Sequence, residues 1–176
     1  MSIDVFAADE QQDHPVELPR WAELVRRVLA ARGVKGETEV SLLFVDEEAI
    51  AALNQQFLGK SGPTDVLSFP IEDEPAPSGR TPDFGGSGPG VSPEPGALML
   101  LGDVVVCPAV AARNAVEHEV SFEDEVALLV VHGVLHLLGM DHQEDAEAER
   151  MEALEQQLLQ RFYRAGPGGR PSVGER

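Results

Sequence analysis

Residues 126–140 read VALLVVHGVLHLLGM and form the longest apolar stretch of the sequence, between Glu125 and Asp141. A helix that is apolar nearly all round belongs at the centre of a protein core. The stretch is fifteen residues long, and it is too short to cross a bilayer, which takes about 20 residues. Gly139 is placed to end the helix, because glycine readily adopts the left-handed conformation found after many helices. We therefore expect a fold built around this segment.

The segments around this helix predict a small sheet. The strand signals are alternation from Ile3, β-rich residues at 39–45, a short strand at 65–70 that ends in Pro70, and an apolar run at 98–107. Pro70 indicates a sheet edge, because proline cannot donate to a neighbouring strand. Five helices are predicted: from Pro19 to Gly33, after the cap Asp46, from Pro108 to about residue 117, from Ser121 onward, and over residues 145–162. In the second of these helices we expect Ile50, Leu53 and Phe57 to be buried.

These elements predict an α+β fold, with a small mixed four-stranded sheet packed with helices and a central apolar helix that carries the histidines. The chain has 176 residues, which is the size of one domain. Residues 73–96 contain six prolines and six glycines and predict a flexible insertion. We expect a single domain over residues 1–162 and a disordered tail over residues 163–176.

The net charge of −18, from 13 basic and 31 acidic residues, argues against a general nucleic-acid binder. The N-terminal residues lack the pattern of a signal peptide. One cysteine, Cys107, excludes an intramolecular disulfide and a four-cysteine zinc site, and it fits a reducing cytosol. We therefore expect a cytoplasmic protein without a membrane association. The candidate basic surface for a polyanion comprises Arg20, Arg26, Arg27, Arg32 and Lys35.

The segment HGVLHLLGMDH, residues 132–142, has the spacing of a metal site. His132 and His136 are four residues apart on a helix and therefore share one face. A turn at Gly139 allows His142 to approach the same point. Three neutral imidazoles suit zinc and leave a fourth position for water. We expect one zinc ion per chain, held by these three histidines.

The usual proton acceptor of a zinc hydrolase is missing from this segment. In the H-E-x-x-H pattern of zinc peptidases the glutamate is the general base, and here that position is Gly133. Any replacement must come from elsewhere in the chain. The candidates are Asp141, Asp103, Asp65 and Glu125, each of which is also suited to orienting a ligand or capping a helix.

The histidine segment, together with GPTDVLSFP at residues 62–70 and LGDVVV at 101–106, resembles the YbeY family of bacterial rRNA maturation factors. The resemblance covers about residues 38–160. It implies zinc held by His132, His136 and His142, and endoribonuclease activity on single-stranded RNA. The implied role is 16S rRNA 3′ end processing and ribosome quality control, with ribosomal RNA and the ribosome or its proteins as partners.

Two further residues, Ser68 and Lys60, are candidate catalytic groups in addition to Asp141 and Asp103. Ser68 belongs to the shared GPTDVLSFP segment. Lys60 is the nearest cation to Leu58, which stands where many family members carry an arginine. A lysine supplies a point charge but not the bidentate fork of an arginine. The handling of phosphate is therefore the part of the resemblance that this sequence supports least.

Two other functions remain compatible with the residues. A zinc metallopeptidase needs a proton carrier to the leaving amine, which Gly133 does not provide. A non-catalytic, zinc-stabilised ribosome-associated factor needs a fourth protein ligand, and Cys107 and His118 have the right side chains. The sequence does not determine the general base, the attacking oxygen, the exact cleavage site or the oligomeric state.

Overall fold

The computed structural model describes residues 3–34, 36–71, 98–140 and 145–164. Its centre is a four-stranded sheet in the order β1-β2-β4-β3. β2 pairs in parallel with β1 and β4, whereas β3 lies antiparallel to β4 at one edge. The mixed sheet and the edge position of Pro70 are therefore confirmed. The strands are β1 (Ile3–Asp9), β2 (Glu37–Phe44), β3 (Val66–Pro70) and β4 (Leu98–Val106).

Five α-helices lie in the described part of the chain, and two of them begin at the predicted caps. The Asp46 side chain accepts from the backbone N–H of Ala49 at 2.8 Å, and Ser121 accepts from that of Asp124 at 3.0 Å. None of these helices is long and apolar enough to span a membrane. The helices are α1 (Leu18–Ala31), α2 (Glu47–Leu53), α3 (Pro108–His118), α4 (Phe122–Leu137) and α5 (Asp145–Leu159).

The apolar segment forms α4, which is the central helix of the core. It contacts α1, α3 and α5 as well as β3 and β4. From Glu125 onward, its side chains are buried except along the stripe that carries Leu128, His132 and His136, because its other sides each meet another element. Gly139 follows the helix with φ of +96°, a conformation that glycine adopts without a steric penalty. The expectation of a fold built around this segment is confirmed.

Gly133 is where α4 approaches the sheet most closely. A Cβ at this position would lie 2.6 Å from Cγ1 of Val104 on β4 and 3.3 Å from Cγ2 of Val66 on β3. The hydroxyl of Ser68 donates to the carbonyl oxygen of Gly133 at 2.9 Å. The missing side chain and this hydrogen bond together set the distance between α4 and the edge of the sheet.

The other face of the sheet carries a second, smaller apolar cluster, to which α2 contributes Ile50. Successive residues of a strand point to opposite faces. Val104 and Val106 belong to the core around α4, whereas Val105 and Cys107 belong to the cluster with Ile50. Cys107 is therefore buried on the side of the sheet away from α4.

The predicted burial of Phe57 is wrong. Its side chain is 56% exposed, although Ile50 on the same helix is fully buried as predicted. α2 continues into a π-helical turn, Asn54–Leu58. A π-helical turn contains more residues than an α-helical turn, so Phe57 is rotated away from the face that Ile50 shares with the sheet.

Several predicted features lie wholly or partly outside the described residues. These include the insertion at residues 73–96, Lys35, Asp141 and His142. The predicted tail begins too early, because α5 continues into a second π-helical turn, Gln160–Arg164. The hydroxyl of Tyr163 in that turn donates to Asp124 at 2.9 Å, which ties the end of the last described helix to α4.

Candidate active site

His132 and His136 meet on one face of α4. Their Nε2 atoms are 3.1 Å apart and their ring centroids 4.5 Å apart, with 69° between the ring planes. This proximity follows from the i, i+4 spacing, which places both side chains on the same side of the helix. Two imidazole nitrogens therefore converge on one point beside the helix.

Glu155 holds the ring of His132 from the other side. Nδ1 of His132 donates to Oε2 of Glu155 at 2.5 Å, and Glu155 is buried. A proton fixed on Nδ1 leaves the lone pair on Nε2, where it faces His136. Carboxylates in this position orient metal-binding histidines and raise their basicity. Glu155 was not among the residues singled out in the sequence, although it lies on the apolar face of α5 with Met151 and Leu158.

We expect Glu155→Gln to weaken zinc binding by about 10- to 100-fold, because glutamine keeps the size of the side chain but removes its charge. Competition with a chromogenic chelator measures the affinity. Glu149→Gln, an exposed position on the same helix, is the matched control. Equal zinc affinities in the two variants would show that Glu155 only packs against His132.

The spacing of the two histidine nitrogens is that of two ligands of one tetrahedral metal ion. Two nitrogens bonded to one tetrahedral zinc ion at about 2.0–2.1 Å are about 3.3 Å apart. The observed 3.1 Å between the Nε2 atoms is close to this value. The described residues contain no group of three metal-binding side chains, and His142, the expected third ligand, is not among them. His132 and His136 therefore fit as two of the three expected zinc ligands.

The histidines line a cleft of about 800 Å³. α4 forms one wall with both histidines, and Glu155 lies beside them. The opposite wall is the edge strand β3, and the π-helical turn after α2 forms the rim. The cleft also receives the carboxylates of Asp65 and Glu125. No lysine or arginine is among the described residues that line it.

The described candidate catalytic residues differ in whether they lie in the histidine cleft. Ser68 lines the cleft, but its hydroxyl donates to the carbonyl of Gly133 rather than to a base. Asp103 pairs with Phe69 across β3 and β4 and points to the face of the sheet that carries Val105, away from the histidines. Lys60 is exposed and does not line the cleft. The structure therefore brings only Ser68 of these three to the histidines, in a structural contact.

Asp65 and Glu125 are the carboxylates that the cleft contains besides Glu155. Oδ2 of Asp65 accepts from Asn114 at 3.1 Å. Oε1 of the buried Glu125 accepts from Nδ1 of His118 at 2.9 Å. This hydrogen bond, together with the negative charge of Glu125, raises the pKa of His118 above its ordinary value. Glu125 is thus a buried carboxylate with a proton-bearing partner, facing the cleft.

Among the described residues, neither candidate for a fourth zinc ligand joins the histidine pair. Cys107 is buried on the opposite face of the sheet from α4. His118 uses Nδ1 to bind Glu125 and does not line the cleft. Within the described ranges, neither side chain joins the histidine pair in a metal-binding group. Neither side chain is therefore placed to supply the fourth ligand that the non-catalytic alternative needs.

Comparison with known proteins gives the family. The model of the family described as Endoribonuclease YbeY matches residues 6–163. The chain belongs to the YbeY family. A relative named Endoribonuclease YbeY from Thermobifida fusca is 44% identical over 166 residues, which cover 94% of this chain and 96% of the relative. Another of that name, from Mycolicibacterium smegmatis, is 41% identical over 162 residues, 92% of this chain and 83% of the relative.

A solved structure has a similar fold and a related sequence. The solution structure of TM1509 from Thermotoga maritima aligns with a TM-score of 0.53 and 26% identity, over 99% of this chain and 100% of that one. Membership of the YbeY family confirms the family resemblance, the α+β fold and the class of enzyme, a hydrolytic nuclease. Leu58, which stands where the resemblance leads us to expect an arginine, lies at the rim of the cleft and is 51% exposed.

Proposed function

We propose that this YbeY protein is a zinc-dependent endoribonuclease that cleaves single-stranded ribosomal RNA. The proposed role is maturation of the 16S rRNA 3′ end and ribosome quality control, in the cytoplasm. The observation that carries the proposal is the convergence of His132 and His136 at 3.1 Å in an open cleft, with Glu155 behind His132. That arrangement suits a metal site accessible to substrate.

Zinc bound there supplies a Lewis acid for a phosphoryl oxygen and lowers the pKa of a bound water to about 7. The protein's own residues prepare the site for this chemistry. Glu155 fixes the tautomer and orientation of His132, and Ser68 holds α4 against β3. Glu125 is a carboxylate of the cleft whose His118 partner carries a proton, so this pair is our candidate for proton transfer.

Gly133 is the observation against a peptidase. The glutamate that serves zinc peptidases as a base would need a Cβ 2.6 Å from Cγ1 of Val104. Real Cβ atoms essentially never make such a contact with a buried side chain. A glutamate at position 133 would therefore force Val104 or α4 itself to shift. Phosphodiester hydrolysis does not require protonation of a leaving amine, so the proposal does not depend on that glutamate.

The basic residues of α1 are largely engaged within the protein. Arg26 and Arg27 both form ion pairs with Glu23 on the same helix, and Arg20 lies over the Trp21 ring at 4.8 Å. These contacts weaken the case for α1 as the principal RNA-binding surface. With a net charge of −18, we propose that ribosomal proteins or the ribosome itself help to bring the RNA to this cleft.

The experiment incubates the zinc-loaded protein with ribosomal RNA and, separately, with casein. We expect RNA fragments, intact casein, loss of cleavage on chelation and recovery on addition of zinc. Analysis of the fragment end groups then distinguishes attack by water from attack by the ribose 2′-hydroxyl. Cleaved casein with intact RNA would establish the peptidase instead, and inertness toward both substrates would favour the non-catalytic factor.

A further inference from the structure

Two aromatic rings lie together where the cleft passes around the edge strand β3, on the face of the sheet away from α4. Phe57 and Phe69 are in edge-to-face contact, with ring centroids 5.1 Å apart and 61° between their planes. Both residues line the cleft that contains the histidines. Phe69 packs partly against the apolar cluster under α2, so one ring of the pair is anchored in the fold. Phe57 is the outer ring and presents more than half of its surface to solvent.

The fold holds Phe57 in this exposed position. The π-helical turn Asn54–Leu58 rotates the ring out of the α2 interface, and Gly59 ends the turn with φ of +67°. The buried side-chain amide of Asn54 donates to the carbonyl oxygen of Gly62 at 2.9 Å, which ties the following loop to the turn. Such turns occur frequently at functional sites. An exposed aromatic ring is thus fixed beside the cleft.

The negative charges of the cleft favour binding of the uncharged base of a nucleotide over binding of its phosphate. Asp65, Glu125 and Glu155 contribute negative charge, and the described lining residues include no lysine or arginine. Phosphates are therefore not attracted by the protein's own side chains at this point. A nucleobase is uncharged and has an aromatic face, so it stacks on a phenylalanine without regard to its identity.

We propose that Phe57 is a stacking platform for an unpaired base of the RNA strand bound in the cleft, with Phe69 as its support. The platform selects single-stranded RNA, because the bases of a duplex are already stacked on their neighbours. This inference rests on the proposed function, in which the occupant of the cleft is RNA.

The test compares Phe57→Leu, which keeps the apolar volume but removes the ring, with Phe57→Tyr, which keeps the ring. Phe6→Leu, at an exposed phenylalanine on β1 that does not line the cleft, is the matched control. The substrate is an unpaired RNA of about 12 nucleotides that carries 2-aminopurine. Quenching of its fluorescence reports stacking on binding, and KM and kcat are measured for cleavage.

We expect Phe57→Leu to raise KM about 5- to 150-fold and abolish the quenching, with zinc content and kcat nearly unchanged. Phe57→Tyr and Phe6→Leu should behave like the wild type. Equal KM and quenching in Phe57→Leu and Phe6→Leu would overturn the stacking proposal. If the wild-type protein quenches the probe through Phe57 but cleaves no RNA, the proposed function fails while the platform stands; if it neither binds nor cleaves, both fail.

Discussion

The His136→Ala protein is expected to purify without stoichiometric zinc and to cleave no RNA. The change removes one of the two nitrogens that converge at 3.1 Å, and the remaining imidazoles rarely hold zinc alone. The loss extends to stability, because a metal that binds only the folded state adds about 4 kcal/mol when free zinc is a thousandfold above its Kd. Elemental analysis and thermal unfolding measure the two effects.

His14→Ala is the control for this variant. His14 stacks on Phe122 at 5.4 Å and does not line the cleft, so its removal tests the loss of a histidine elsewhere. It should retain one zinc per chain and RNA cleavage. One zinc per chain in purified His136→Ala would contradict the assignment of this histidine as a ligand.

The Gly133→Ala protein is expected to be less stable than the wild type by about 1–3 kcal/mol. In an unhindered helix the same change would stabilise by about 1 kcal/mol. Here the substitution destabilises the protein, because the new Cβ would lie 2.6 Å from Cγ1 of Val104 and overpack the core. Val104 is fully buried on a central strand. Gly133→Glu, which restores the peptidase pattern, should lose more stability and gain no activity on casein.

A double variant separates this contact from other effects of the substitution. Val104→Ala removes the atom that the new Cβ meets, so Gly133→Ala should cost less in the Val104→Ala background than alone. Urea unfolding measures the four free energies, and the coupling should be about 0.5–3 kcal/mol. A Gly133→Ala protein as stable as the wild type or more so would show that α4 moves freely away from the sheet.

The central helix and its caps could be predicted because their signals are local. The apolar run of residues 126–140 has only two polar side chains, both histidines, and Asp46 and Ser121 bond to backbone N–H groups three residues away. The pairing of His132 with His136 follows equally from a four-residue spacing on a helix. These features depend on helix geometry and not on which other elements pack nearby.

The features that sequence analysis missed depend on contacts between distant elements. Glu155 reaches His132 from another helix, 23 residues away, and its only signal was a carboxylate on an apolar face. Asp103 was a candidate for its carboxylate, but it lies inside β4, and the alternation of that strand turns it away from the histidines. Phe57 continued the apolar spacing of α2, and a π-helical turn reversed its burial.

The role of Gly133 could likewise be predicted from the sequence only in part. The absence of a glutamate at this position could be read from the sequence, and it weakened the peptidase hypothesis. Its cause is the close approach of α4 to Val104 and Val66, which depends on how the helix lies across the sheet. A local pattern identifies which chemistry is missing, whereas packing explains why the residue cannot be replaced.

Anomalous X-ray scattering at the zinc absorption edge, from crystals of the zinc-loaded protein, tests the central claim most directly. We expect one peak per chain in the cleft, about 2.0–2.1 Å from Nε2 of both His132 and His136, with a coordination position left open to solvent. A peak held by Cys107 or His118, or a zinc ion enclosed by four protein ligands, would contradict the account of this cleft as a hydrolytic site.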